Sequence, residues 1–153
     1  MEYSIIIPTY NNYKYCKLTI DSIKKNSFFN HEIIVHINGN DKKTENYLTH
    51  QEIKFTKSSD NIGLCSSVNR AYKKSTQKFI LYSHDDMYFL PGWDKALQDE
   101  VNKFNIDKFY LSLTQIASHG GVKGSIQHIQ FDCGDSIESF DEQKILKNFN
   151  NFY

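Results

Sequence analysis

The chain has no excess of either charge: 18 basic side chains balance 18 acidic ones among 153 residues. No long-range field therefore draws it toward nucleic acid or an anionic membrane. It also lacks long apolar runs. SIIIP and KFILY fall far short of the roughly 20 residues that a spanning helix needs, and the amino terminus has no basic-then-apolar signal pattern. These absences imply a soluble, cytoplasmic protein. Cysteine is scarce: Cys16, Cys65 and Cys133 are odd in number, widely spaced and without a C-x-x-C pair. That excludes a disulfide framework and a zinc site and leaves three expected free thiols. The length bounds the chain at one domain with an ordinary core.

Along the chain, short apolar runs alternate with amphipathic ones. Tyr3 to Ile7 reads as a buried strand stopped by Pro8, and Tyr13 to Lys25 as a helix with Cys16, Ile20 and Ile23 on one face. Glu32 to Ile37 is a second strand, followed by the turn Asn38-Gly39-Asn40-Asp41. A short helix over Lys43 to His50 and a strand over Glu52 to Thr56 come next. Leu64 to Lys74 is expected to be helical with Val68, Ala71 and Tyr72 inward, and Lys78 to Tyr82 to be a strand. Pro91 suits the first turn of a helix running to about Phe104, and Phe109 to Leu113 reads as a further strand. Strands separated by helices imply βαβ units, hence an α/β fold with a mainly parallel sheet.

In such a sheet, ligands bind beyond the carboxyl ends of the strands. Thr9, Tyr10 and Asn11 follow the first strand, Asn38 the second, Asn61 and Gly63 the third, and Asp85 and Asp86 the fourth. The Asp pair is the most informative of these, because two acids at the end of a buried strand are costly unless something cationic is bound. A solvated turn carries the same two residues cheaply, so both readings stay open at this point. His84, beside them, is expected to pack or hydrogen-bond rather than bind metal. For Gly39 and Asn40 plain turn formation suffices.

SIIIPTYNN, EIIVHINGN, NIGLCSSVNRAY and FILYSHDDMYFLPGW, in this order and spacing, resemble the nucleotide-sugar-binding half of family 2 glycosyltransferases. The resemblance covers about the first hundred residues. It implies a GT-A fold, a Rossmann-like parallel sheet flanked by helices. It further implies a metal-dependent, inverting glycosyltransferase that moves a sugar from a nucleotide diphosphate, UDP first, to a hydroxyl on a glycan or lipid-linked acceptor in polysaccharide synthesis. By the same resemblance Pro8, Thr9, Tyr10 and Asn11 contact the nucleotide, with Tyr10 against the base. Asn38 stands where the family usually has a base-binding Asp, and Ile37 departs from the acid common just before it. Asn61 and Gly63 line the diphosphate, Arg70 reaches phosphate or ribose, Asp85 faces the ribose or sugar, and Asp86 ligates the metal. Two carboxylates beside a diphosphate repel it unless a divalent cation intervenes. Mg²⁺ or Mn²⁺, which take one or two carboxylates plus phosphate oxygens, are the cofactors expected. A nucleotidyltransferase would instead need a Gly-rich, basic loop after the first strand, which Pro8-Thr9-Tyr10 does not provide.

We expect residues 1–113 to form the donor-binding core and 114–153 to complete the same domain as a shortened acceptor region. His119-Gly120-Gly121 reads as a flexible turn. FDCGDSIESFDEQKILKNF reads as a strand, an acidic turn and a short helix capped by Ser139 or Asp141. No general base is evident, because Asp132 and Asp135 read best as solvated turn residues. A nucleotide-sugar-binding module or fragment without independent turnover is therefore the alternative function.

Overall fold

The computed structural model describes residues 1–104, 108–117 and 128–152. They form two compact units, Met1–Phe104 and Asn105–Tyr153. The first holds β1 (Tyr3–Thr9), α1 (Tyr13–Asn26), β2 (Glu32–Ile37), α2 (Lys42–His50), β3 (Lys54–Lys57), α3 (Leu64–Tyr72), β4 (Phe79–Tyr82) and α4 (Trp93–Val101). Its four strands make one sheet in the order β3-β2-β1-β4, and every pairing is parallel. This is the mainly parallel α/β arrangement that the alternating pattern implies, and the Rossmann-like sheet expected from the resemblance.

β1 is central, and all seven of its residues are buried, which is why it is apolar without alternation. On one face Ile6 and Ile34 pack against Ala71 and Val68 of α3. Strand alternation turns Ile5, Ile7 and Thr9 to the opposite face, where α1 buries Cys16, Ile20 and Ile23. Contrary to expectation, the strand runs through Pro8. The Ile6 carbonyl accepts the Ser83 N–H at 3.0 Å, so Pro8, two residues on, faces the same neighbour. β4 pairs only as far as Ile6↔Tyr82, so the missing proline N–H costs no ladder bond.

Other boundaries shift for local reasons. Glu52 takes a left-handed φ of 54°, so β3 begins at Lys54. Tyr72 is 54% exposed and not inward, and α4 stops at Val101. Phe109–Leu113, expected to be a strand, carries no regular secondary structure. The second unit instead contains the parallel pair β5 (Gln115–Ala117) and β6 (His128–Gln130), then α5 (Glu142–Lys147) and a 3₁₀ turn at Phe149–Asn151. The Asp141 side chain caps α5 by accepting the Lys144 N–H at 2.9 Å. His119-Gly120-Gly121 lies outside the described residues. All three cysteines are free.

The amino-terminal edge of the sheet is closed by Glu32. Its carboxylate accepts from the Ser4 hydroxyl and the Lys54 ammonium, from the Thr76 N–H at 2.9 Å and from the Thr76 hydroxyl at 3.0 Å. Burial works to raise its pKa, but these donors outweigh it and hold the group at about 2 against an ordinary 4.5. A depressed carboxylate pKa contributes stability that is complete above the unfolded value and lost as pH falls through the folded one. Glu32→Gln should therefore lower unfolding free energy by about 1–3 kcal/mol at neutral pH. It should also flatten the stability loss between pH 4.5 and about 2, as read by urea titrations across that window.

Candidate functional site

The carboxyl ends of parallel strands share one edge of the sheet, and the chain leaves that edge through four polar loops. Thr9 closes β1, 2% exposed, with its hydroxyl on the α1 face beside Asp85 and Cys16. That hydroxyl tempers the Asp85 pKa, yet makes no hydrogen bond of full geometry among the described residues. Burial pushes the Cys16 thiol up to about 12, with the Asp85 charge adding to it. Tyr10 follows with 52% of its surface exposed, and Asn11 turns the chain at a left-handed φ of 50°.

The Asp pair follows β4. Asp85 is half-buried and Asp86 exposed. Burial raises the Asp85 pKa first, and the Asp86 charge adds to it; hydrogen bonding from Thr9 and Asn12 acts the other way without prevailing. Tyr82 borders the pair, with Cys65 near it. The Tyr82 pKa is raised by burial, then by Asp85, Asp86 and Cys65, and its hydroxyl lies 3.2 Å from His84 Nε2. His84 thus hydrogen-bonds, as expected. A carboxylate desolvated beside another carboxylate suits a hard cation. Among the described residues no three His, Cys, Asp or Glu side chains gather as a complete metal cage, so a cation here would need ligand oxygens as well.

The third rim loop is built by Asn61, whose Oδ1 accepts the Gly63 N–H at 3.0 Å, an Asx turn. Gly63 sits at φ 80° immediately before α3, with nothing within 4 Å of where a side chain would begin. The backbone is thus bare at a helix N-terminus, where amide groups favour anions. Asn38 follows β2 almost wholly buried, at 4% exposure. Arg70 stands in the last turn of α3, exposed, about 10 Å along the helix axis from Gly63. His36 titrates below its ordinary value through burial first and the Arg70 charge second.

Sequence reasoning missed what holds the Asp pair in place. One face of α1 buries three polar residues, Thr19, Ser22 and Asn26. The Thr19 hydroxyl donates to the Met87 carbonyl at 2.8 Å and accepts the Met87 N–H at 3.0 Å. Ser22 Oγ accepts the Phe89 N–H at 3.0 Å, and Asn26 Nδ2 donates to the Phe89 carbonyl at 2.6 Å. The Asn26 carbonyl accepts the Gly92 N–H at 2.9 Å. The signal was present in T-x-x-S-x-x-x-N, a helical spacing filled with polar rather than apolar residues.

A model of the family described as Glycosyl transferase family 2 matches residues 4–151. The chain belongs to that family. Among solved structures, this family 2 domain is similar to S. aureus TarS 1-349, with 24% identity and a TM-score of 0.64 over 82% of this chain and 39% of that one. The complex of TarS 1-349 with UDP-GlcNAc gives 24% identity and a TM-score of 0.65 over 82% and 38%. The mannosyltransferase PcManGT from Pyrobaculum calidifontis, in complex with GDP-Man and Mn2+, gives 19% and 0.51 over 61% and 30%. These likenesses establish the fold, and the chain spans well under half the length of each relative. No curated protein gives a significant match. No helix among the described residues is long and apolar enough to cross a membrane.

In the second unit of the family 2 domain, Asp132 Oδ1 accepts the Gly134 N–H at 3.2 Å, its Oδ2 lies 3.4 Å from Lys144 Nζ, and Asp135 accepts the Ser139 hydroxyl at 3.1 Å. Both acids serve the turn. The stitching of the 87–92 segment yields a test. Thr19→Val strips the Met87 N–H and carbonyl of their partner and should cost about 1–3 kcal/mol, measured by urea denaturation. Raised hydrogen exchange at Met87 and Phe89 should accompany it.

Proposed function

We propose that the chain binds a nucleotide sugar at the carboxyl edge of its sheet and acts in inverting transfer of the sugar to a hydroxyl of a glycan or lipid-linked acceptor. The observation that carries this reading is the Thr9–Asp85–Asp86 constellation. A buried hydroxyl without a full hydrogen bond adjoins a carboxylate held above its usual pKa, and a second carboxylate adds to the same charge. Such a site favours a divalent cation, Mn²⁺ or Mg²⁺, with Asp86 as its ligand and Asp85 toward ribose or sugar. When bound, the cation supplies positive charge that offsets the diphosphate. Tyr10 offers a ring to the base, Pro8 and Asn11 shape the approach, and Gly63 lets backbone amides meet the phosphates. UDP is the first donor nucleotide to test, in keeping with the UDP-GlcNAc complex of TarS; the GDP-Man and Mn2+ complex of PcManGT supports a nucleotide sugar with a metal more broadly. Arg70 serves phosphate or ribose only if its long side chain reaches back along α3.

Calorimetry with UDP, CDP, GDP and dTDP in Mn²⁺ tests the reading, which fails if a folded sample binds none of them. Asp86→Ala should abolish metal-dependent binding while the melting temperature holds or rises, because removing an acid from an acidic pair relieves repulsion. Loss of fold would instead make Asp86 a structural acceptor.

The turn contacts of Asp132 and Asp135 favour a second reading, a donor-binding module in which 114–153 is a shortened acceptor region without a general base. General-base help is worth about 10²–10⁴-fold, and an acceptor not held near the sugar carbon also loses the advantage of proximity. The chain alone is then expected to release UDP from UDP-sugars slowly and with little stimulation by acceptors. Strong stimulation would point to Asp132 or Asp135 as the base.

A further inference from the structure

We infer that Asn38 is a positioning residue that locks the 61–63 loop and the start of α3 onto β2, and that the base is read by the Tyr10 ring instead of by Asn38. The inference rests on the nucleotide-binding reading above and reassigns one residue within it.

The orientation of the Asn38 carboxamide follows from its partners. The Ile62 N–H can only donate, so the atom 3.1 Å from it is Oδ1. Ser67 Oγ gives its single proton to the Gly63 carbonyl at 2.6 Å, so it receives Nδ2–H from Asn38 at 2.7 Å. Ser58 Oγ lies 3.5 Å from Oδ1 on the other side, and the Asn38 N–H is held by the Thr9 carbonyl at 2.8 Å. The network continues to the buried His36, whose Nε2 lies 3.3 Å from Ser58 Oγ and whose Nδ1 lies 2.7 Å from Thr56 Oγ1. The acceptor of Asn38 is thus turned into the loop and already engaged. A base presenting an imide N–H needs an acceptor that faces the ligand. A carboxylate at this position would have no N–H for Ser67, so the amide suits the lock and not that contact.

Tyr10 is placed for the other task. Its Cε2 lies 3.4 Å from where a side chain on Gly39 would begin, and Gly39 takes a φ of +79°. The ring is backed by bare backbone while half of its surface stays open. An aromatic face accepts any base by stacking. Discrimination among bases should accordingly be weak, with UDP and CDP affinities within about threefold of each other.

Two readouts on the full chain test this, hydrogen exchange without ligand and calorimetry with UDP and CDP in Mn²⁺. Asn38→Ala should speed exchange at the Ile62 amide about tenfold and weaken UDP and CDP together, leaving their ratio unchanged. Asn38→Asp keeps the size and an acceptor for Ile62 but loses the donor to Ser67. It should speed exchange at the first amides of α3 and weaken both nucleotides. A base-reading role predicts the opposite for Asn38→Asp: tighter, uridine-selective binding with exchange unaltered. That result, or selective loss of UDP in Asn38→Ala, overturns the inference. If the unaltered chain binds neither nucleotide, the proposed function falls, while exchange at Ile62 still decides whether Asn38 is a lock.

Discussion

The buried polar face of α1 is the constraint on which the carboxyl edge of the sheet depends. The chain leaves the sheet after Tyr82, and beyond Asp86 it crosses α1 in an irregular segment that pairs with no strand among the described residues. Its backbone groups must still be satisfied, and side chains of Thr19, Ser22 and Asn26 do this. A helix face that would ordinarily supply apolar contact is given over to fixing a loop. The start of α4 is held from the same side: Asp94, fully buried, accepts the Phe28 N–H at 2.8 Å, the Phe29 N–H at 2.7 Å and a hydrogen bond from His31 Nε2 at 3.0 Å. The Asp pair is therefore tethered at both ends, by β4 before it and by α1 after it.

The two edges of the sheet contrast. At the amino-terminal edge the carboxylate of Glu32 meets four donors, and its pKa falls. At the carboxyl edge Asp85 is desolvated beside another acid, and its pKa rises. One edge is closed electrostatically and the other is left with bonding capacity to spend. The Thr9 hydroxyl, buried and without a hydrogen bond of full geometry among the described residues, shares that edge with Asp85.

Much of the first unit was legible because its two central strands, β1 and β2, are buried on both faces and its helices carry regular apolar spacing. Glu32–Ile37 was read to the residue, and the four rim loops follow from counting strand ends. Pro8 misled because a proline stops a strand only where its missing N–H faces a partner, and pairing is not visible in one strand. Phe109–Leu113 has strand-forming residues, but pattern alone does not provide a neighbour to pair with. Thr19, Ser22 and Asn26 were overlooked because only apolar positions were counted along α1. The partners of Asn38 were out of reach too: Ile62 and Ser67 meet it only after β3 and α3 have folded back against β2.

The three cysteines differ in what the solvent can do to them. Cys16 and Cys133 are buried, and Cys65 is exposed. Cys16, held near 12 beneath Thr9, is almost never a thiolate at physiological pH and so resists alkylation and oxidation. Cys65 lies in the first turn of α3, two residues after Gly63 and close to Tyr82. The fold thus carries a single exposed thiol near the carboxyl edge of its sheet, ready to take a fluorophore or spin label in the chain as it stands.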